Sequence, residues 1–436
     1  MLDAIVRFYE KTGNINRSTY IWNALNAGMS AAQCPVILMV MTRVNGVHDA
    51  GIFSIAFAVA CLMLYVAQYG LRRYQSSDIK EKFTFREYHG MRFITCIAMI
   101  IACIVYCFYC MAFKDYDWEK FSIVFMVCML KCIQGYADVI HGHLQQKGRL
   151  DVAAKASATR YFMEIVAYIV ALIITGNLFI STVVCLMVSL VVLLLTSVNV
   201  ARKYCDTLRP SIGFTKFKMM FIEGFPLFIS LFLNTYICNA PKYAIDTFLT
   251  EELQAFYNII FMPAMTVQLI AHFIFNPVIT TYAKLWLSEE KEQLQKLIRM
   301  IKKQCYLVTA IAALGIIVAL TIGIPVLSFI FGVDLGHLKW ELTVIMIGGG
   351  MLAFATYFST IITVIRLQNT LFVSYGIVAL IAKLLAGYCV VNYSLMGAAW
   401  LYAGLMFILA LMLFGVTLWG IGRQRKKLNT ISQNKI

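Results

Sequence analysis

The chain has 436 residues, 61% of them hydrophobic and only 14% charged, with a mean hydropathy of +0.77. A soluble globule of this size carries far more charge, so the composition excludes a soluble enzyme; apolar runs recurring from end to end predict an all-α polytopic membrane protein. The net charge of +15 does not point to nucleic acid, because the basic residues fall in alternate loops rather than on one patch.

The N-terminal stretch MLDAIVRFYEKTGNINRS is polar and lacks a signal-peptide core, so the first span is expected to act as its own membrane signal. Runs of about 20 apolar residues cross a bilayer. They recur near 20–42, 51–70, 92–113, 121–140, 161–175, 178–198, 224–241, 253–275, 306–331, 342–365, 370–391 and 395–420. The fifth is short and meets the sixth across Gly176-Asn177.

Basic residues cluster after every second span. Arg72, Arg73, Lys80, Lys82 and Arg86 come first, then Lys147, Arg149, Lys155 and Arg160, then Arg202, Lys203, Arg209, Lys216 and Lys218. Lys284 to Lys303 and Arg423 to Lys427 complete the series, whereas the alternate loops offer only Arg43, Lys114, Lys120, Lys242 and Lys339. Positive residues stay in the cytoplasm, which predicts both termini inside. After Ser288, EEKEQLQKLIRMIKKQ places Leu294, Leu297, Ile298 and Ile301 on one helix face and lysines opposite. It reads either as an interfacial amphipathic helix or as a cytoplasmic extension of span eight.

Polar stripes mark several spans. Asn23, Asn26, Ser30 and Gln33 share one face of span one, and Thr235, Asn239, Lys242 and Asp246 share one face of span seven. A stripe of this kind lines a water-filled cavity or bonds a neighbouring helix. Span four carries Lys131, Gln134 and Asp138 on one face, and span eleven carries Lys383 near its middle. A mid-span lysine costs roughly 2.5–3.5 kcal/mol to insert, so it is expected to face a cavity or a partner. Glu164, four residues after Arg160, reads as half of a helical surface pair. Pro35, Pro263, Pro325 and Gly348-Gly349-Gly350 are hinges or packing features.

A weak repeat links the halves. Arg43 precedes DAGIFSIAF at 49–57, and Lys242 precedes LQAFYNIIF at 253–261. This predicts two six-helix bundles, 1–215 and 216–436, related as parallel repeats. The 13 cysteines lie mostly in apolar runs, and the CxxC of Cys107 and Cys110 reads as core. His141 and His143 do not share a helix face. No metal site, cofactor motif or catalytic constellation is expected.

At 224–286 the chain resembles bacterial O-antigen flippases of the Wzx type, within the multidrug/oligosaccharidyl-lipid/polysaccharide exporter superfamily. The resembling residues are GFPL at 224–227, NAPKYAID at 239–246, EELQAFYNIIFMP at 251–263 and FNP at 275–277. TRVNGVHDAGIFS at 42–54 and the run at 145–149 add to them. The resemblance implies a two-bundle transporter in the cell inner membrane. It would carry an undecaprenyl-diphosphate-linked oligosaccharide from the cytoplasmic to the periplasmic leaflet by alternating access. Implied partners are that lipid-linked oligosaccharide, membrane lipid and other glycan-assembly proteins of lipopolysaccharide or O-antigen biosynthesis. For such a cargo Arg43, Lys131, Lys242 and Lys383 would meet the diphosphate, and Asn23, Asn26, Gln33, Asn234 and Asn239 the sugars. Two other functions fit the class: a multidrug cation antiporter, which needs cavity carboxylates, and a membrane glycan polymerase or ligase, which needs a long periplasmic loop. A scaffold is a third.

Overall fold

A computed structural model of the chain describes residues 2–77, 82–205, 207–275, 278–288 and 290–433. Lys80, Glu289, and Asn276 and Pro277 of the FNP stretch lie outside the described residues, as does the side chain of Arg73. The chain divides into two compact units, Met1–Thr235 and Tyr236–Ile436.

The first unit contains α1 (Leu2–Glu10), α2 (Ile15–Val44), α3 (Val47–Gln68), α4 (Leu71–Ser77), α5 (Phe85–Phe113), α6 (Trp118–Gln146), α7 (Leu150–Thr175), α8 (Leu178–Leu193) and α9 (Asn199–Tyr204). A π-helical turn at Leu194–Val198 joins the last two. Helix α10 (Phe214–Phe248) begins in this unit and ends in the next. The second unit adds α11 (Glu251–Phe275), α12 (Ile279–Leu287), α13 (Lys291–Val318), α14 (Ile324–Phe331), α15 (Lys339–Val364) and α16 (Gln368–Gln433).

Eleven described helices are long and apolar enough to cross a membrane. The last of them breaks at Ser394, whose φ of 49° and ψ of −134° are not helical. A Cβ added at Gly397 would lie 2.0 Å from the Cys389 carbonyl oxygen. Residues eight apart in a straight helix are about 12 Å apart, so the chain turns back here. Each arm exceeds the roughly 20 residues of a crossing, and the expected twelve spans result.

Local chemistry sets the ends. Gly176 takes the left-handed conformation at φ 60° and returns its N–H to Leu172. Asn177 then caps α8 by accepting from the Ile180 N–H at 2.9 Å. The fifth span is therefore not short; it starts eleven residues before 161, at Leu150. The amphipathic stretch after Ser288 is also corrected. It is the first part of α13, continuous through a π turn at Ala319–Gly323 into α14, so it extends span nine. Leu294, Leu297 and Ile301 are buried on its inner face.

In unit 1, α2 packs along α7, α3 along α6, and α8 against α7 and α6. In unit 2, α15 is central and meets α16, α11 and α13. Its three glycines explain how. A Cβ on Gly348 would stand 2.6 Å from the Tyr402 ring, on Gly349 2.8 Å from Ala264, and on Gly350 2.9 Å from Ala312. Each glycine admits a different helix at close range, so this run packs rather than bends.

Helix α1 is tied down by polar bonds. Lys155 Nζ donates to the carbonyls of Tyr9 at 3.3 Å and Lys11 at 3.2 Å. The Glu10 carboxylate accepts from Lys203 and from Tyr204 Oη at 2.9 Å. Burial alone would push the Glu10 carboxyl up, but the bonds from Lys203 and Tyr204 outweigh it and hold it below the usual carboxylate range.

Candidate functional site

The spans of unit 1 are stitched together by a buried polar network. Gln33 on α2 donates from Nε2 to the Glu164 carboxylate on α7 at 2.7 Å. Its Oε1 accepts from Lys131 Nζ on α6 at 2.8 Å. Lys131 also donates to Gln134 Oε1 at 3.2 Å and stands 4.4 Å from the centre of the Phe57 ring on α3. Glu164 further accepts from Arg160 at 2.5 Å and from Ser189 Oγ on α8 at 2.5 Å. Four helices thus meet through one chain of bonds, and α3 joins them through the Phe57 ring.

The network corrects one reading. Arg160 and Glu164 are 2% and 1% exposed, so they form a core ion pair and not a helical surface pair. Sequence spacing finds a pair of this kind but cannot say which way it faces. The partition of charge also matters. The Glu164 carboxylate meets a guanidinium directly, whereas among the described residues Lys131 meets two neutral amides and a ring.

A second cluster lies two turns along α6. Asp138 accepts from Arg92 Nη2 on α5 at 3.0 Å and from Arg72 Nη1 on α4 at 3.2 Å. Arg92 is fully buried. It also donates to the Ala67 carbonyl, which Thr95 Oγ1 shares at 2.7 Å. Ala67 sits in the last turn of α3, where carbonyls lack intrahelical partners. Arg92 therefore caps one helix and neutralises the acid of another.

Unit 2 holds a comparable lysine. Lys242 on α10 is buried, donates to Asn258 Oδ1 on α11 at 2.6 Å and stands 4.3 Å from the centre of the Phe261 ring. In the repeat, 49–57 aligns with 253–261, so Phe57 and Phe261 hold the same place. Each carries a buried lysine over its face. The lysine comes from α6 in one unit and from α10 in the other. Beside Phe261 the Tyr402 ring packs edge-on at 4.9 Å.

The profile of the family described as polysaccharide biosynthesis protein matches residues 18–283. The chain belongs to this polysaccharide biosynthesis family. Its fold is that of the MOP superfamily. An inward-facing multidrug resistance MATE transporter of that superfamily superposes with a TM-score of 0.66 at 13% identity, over 95% of this chain and 100% of that chain. A MOP-superfamily transporter from Pyrococcus furiosus gives 0.57 at 15% identity, over 98% of each chain. A eukaryotic MATE transporter gives 0.56 at 12% identity, over 98% and 97%. At these identities the likeness is one of fold. No curated protein matches the sequence.

The family match contains Arg43, Lys131 and Lys242 and leaves Lys383 outside. Arg43 is exposed in the last turn of α2. Asn23 and Asn26 are half-buried along α2, with Asn23 Nδ2 donating to the Thr19 carbonyl at 2.9 Å. Asn234 and Asn239 are half-buried along α10. Lys383 is exposed on α16 and makes no hydrogen bond or ion pair among the described residues. Gln33, Lys131 and Glu164 come together. Lys242 belongs to the other unit's cluster, and Lys383 joins neither.

The family-like GFPL motif has a structural role. The Tyr69 ring stacks between Phe221 at 5.2 Å and Phe228 at 4.8 Å. A Cβ on Gly224 would come within 3.1 Å of that ring, and a Cβ on Gly70 within 2.9 Å of Leu227. Glycines on both sides let α10 seat against the end of α3. Sequence reasoning missed Phe57, Phe261, Asn258, Arg92 and Ser189 as site residues. The two phenylalanines were visible only as the last letters of the repeat.

Proposed function

We propose that this protein is a flippase that carries a lipid-diphosphate-linked oligosaccharide from the cytoplasmic to the periplasmic leaflet of the inner membrane. Family membership and the MOP fold support a membrane transporter of polysaccharide biosynthesis. The observation that carries the choice of cargo is the balance of buried charge in unit 1. Glu164 is held by Arg160 and Asp138 by two arginines, while Lys131 has neutral partners. The acids are already compensated, and the surplus is positive. That balance suits an anionic diphosphate better than a cationic drug.

The same fold serves different cargoes, so fold alone does not choose. For the Pyrococcus furiosus transporter, reversed polarity of the binding pocket suggests a different function. The multidrug antiporter reading keeps that fold and would need an acid free to bind a cation. Deletion separates the two. Loss of this protein should strand lipid-linked repeat units in the cytoplasmic leaflet and leave sensitivity to cationic drugs unchanged. Increased drug sensitivity with normal surface glycan would overturn the proposal.

A further inference from the structure

Unit 1 contains a cavity whose lining does not include Lys131. It has a volume of about 560 Å³ and opens between the start of α5, the end of α6 and the segment after α9. Sites for small ligands run from about 300 to 1,000 Å³, so the space is adequate. This is the end of the unit where the basic loops gather. Lys216 meets Glu87 at 2.6 Å, Lys82 meets Glu223 at 2.8 Å, and Arg149 meets Tyr204 Oη at 3.0 Å.

Both walls are fixed without a ligand. On one side the Ser211 N–H donates to the Arg86 carbonyl at 3.1 Å. A Cβ at Gly90 would stand 2.9 Å from the Ser211 backbone, so the segment lies tight on α5. On the other side His143 Nε2 donates to the Tyr204 carbonyl at 3.0 Å, and the Phe85 ring packs on the imidazole at 4.6 Å. A preformed cavity costs a ligand little ordering.

Its lining has a definite chemistry. Arg86 and Lys147 supply positive charge, Thr84, Thr207 and Gln146 supply uncharged donors, and Tyr204 and Phe85 supply flat apolar walls. Glu87 also lines it, but its carboxylate is taken by the Thr84 N–H at 2.9 Å and by Lys216. Its charge is therefore already met by Lys216 and does not fall on Arg86. The Arg86 guanidinium makes no hydrogen bond among the described residues. A planar guanidinium with hydroxyl donors beside it matches the oxygens of a phosphate, and the aromatic walls fit a small carbon skeleton attached to it.

We propose that this cavity binds a small phosphate ester, with Arg86 and Lys147 on the phosphate. The ester is either a soluble sugar or glycerol phosphate or the headgroup of an anionic phospholipid. The test compares the full-length wild type with R86Q/K147Q and with K302Q/K303Q, which removes the same charge from exposed positions of α13. Glycerol 3-phosphate is titrated against detergent-purified protein by thermal shift. Phosphatidylglycerol and phosphatidylcholine adducts are counted by native mass spectrometry. An apparent Kd for glycerol 3-phosphate that rises at least tenfold in R86Q/K147Q and stays unchanged in K302Q/K303Q supports the site with a soluble ligand. No soluble binding, with a phosphatidylglycerol adduct lost only in R86Q/K147Q, supports it with a lipid. Equal behaviour of all three proteins, equal loss in both variants, or no binding of either ligand overturns it. If R86Q/K147Q does not purify, the single variants R86Q and K147Q are read by the same rule.

Discussion

Gln33 and Glu164 are 131 residues apart in sequence and joined by a 2.7 Å hydrogen bond. The orientation of the Gln33 amide is fixed from both ends, by the carboxylate at its nitrogen and by Lys131 at its oxygen. Replacing Gln33 with leucine removes a donor and an acceptor at once and leaves Lys131 and Glu164 each short of a buried partner. The expected cost is about 1–3 kcal/mol for each group left unsatisfied. It should appear as a lowered melting midpoint of detergent-purified Gln33→Leu, and an unchanged midpoint would mean that the bond contributes nothing.

Asp138→Asn should be more damaging. It leaves Arg92, which is fully buried, without its carboxylate, and breaking one side of a buried pair costs about 3–5 kcal/mol. The double variant D138N/R92M removes both charges and should recover much of the loss. Folded yield and melting midpoint of the two variants measure this. A double variant no better than the single one would show that Arg92 acts through the Ala67 carbonyl alone.

Lys131 and Lys383 should now separate. Lys131 is buried and bonded, so Lys131→Ala should lower folded protein and glycan export together. Lys383 is exposed and makes no bond among the described residues. Lys383→Ala should therefore insert and melt like the wild type while export falls, with partial recovery in Lys383→Arg. Quantitative immunoblots beside surface-glycan staining give both readings. Normal folding and export from both Lys131→Ala and Lys383→Ala would move the cargo cation to Arg43 or Lys242.

The docking of α1 should depend on acid. The folded-state pKa of Glu10 is depressed, so its contribution is present at neutral pH. That contribution is lost as pH falls through the folded value, below the ordinary carboxylate range near about 4.3. Hydrogen-exchange protection over residues 2–12, taken relative to the intrinsic rate at each pH, should be high at pH 7 and fall on acidification below that range. Glu10→Gln should exchange fast already at pH 7. Identical exchange in the variant and the wild type would remove Glu10 from the account.

Much of the fold was legible because a membrane imposes length. Twelve apolar runs give twelve crossings, and even the turn between the last two fell near Ser394. Facing was harder to read. Lys131 and Gln33 were recognised as needing a partner, but nothing in the spacing says that they partner each other. Arg160 and Glu164 looked like a solvated pair because i,i+4 spacing is the same on either face of a helix. Gly348, Gly349 and Gly350 looked as much like a hinge as like a contact, since only the positions of Tyr402, Ala264 and Ala312 decide. The stretch after Ser288 read as an interfacial helix or as an extension of span eight, because its amphipathic pattern carries no sign of which apolar run it continues.

Transport of the lipid-linked cargo itself is the most direct test. Purified protein would be reconstituted into vesicles carrying a fluorescent lipid-diphosphate-linked oligosaccharide in both leaflets. A membrane-impermeant reagent that attacks the sugar then reports how much cargo reaches the outer leaflet. With the wild-type protein the reagent should consume almost all of the label, and in empty vesicles only the outer-leaflet share. Consumption equal to that of empty vesicles, from protein shown to be folded and correctly inserted, would contradict the account.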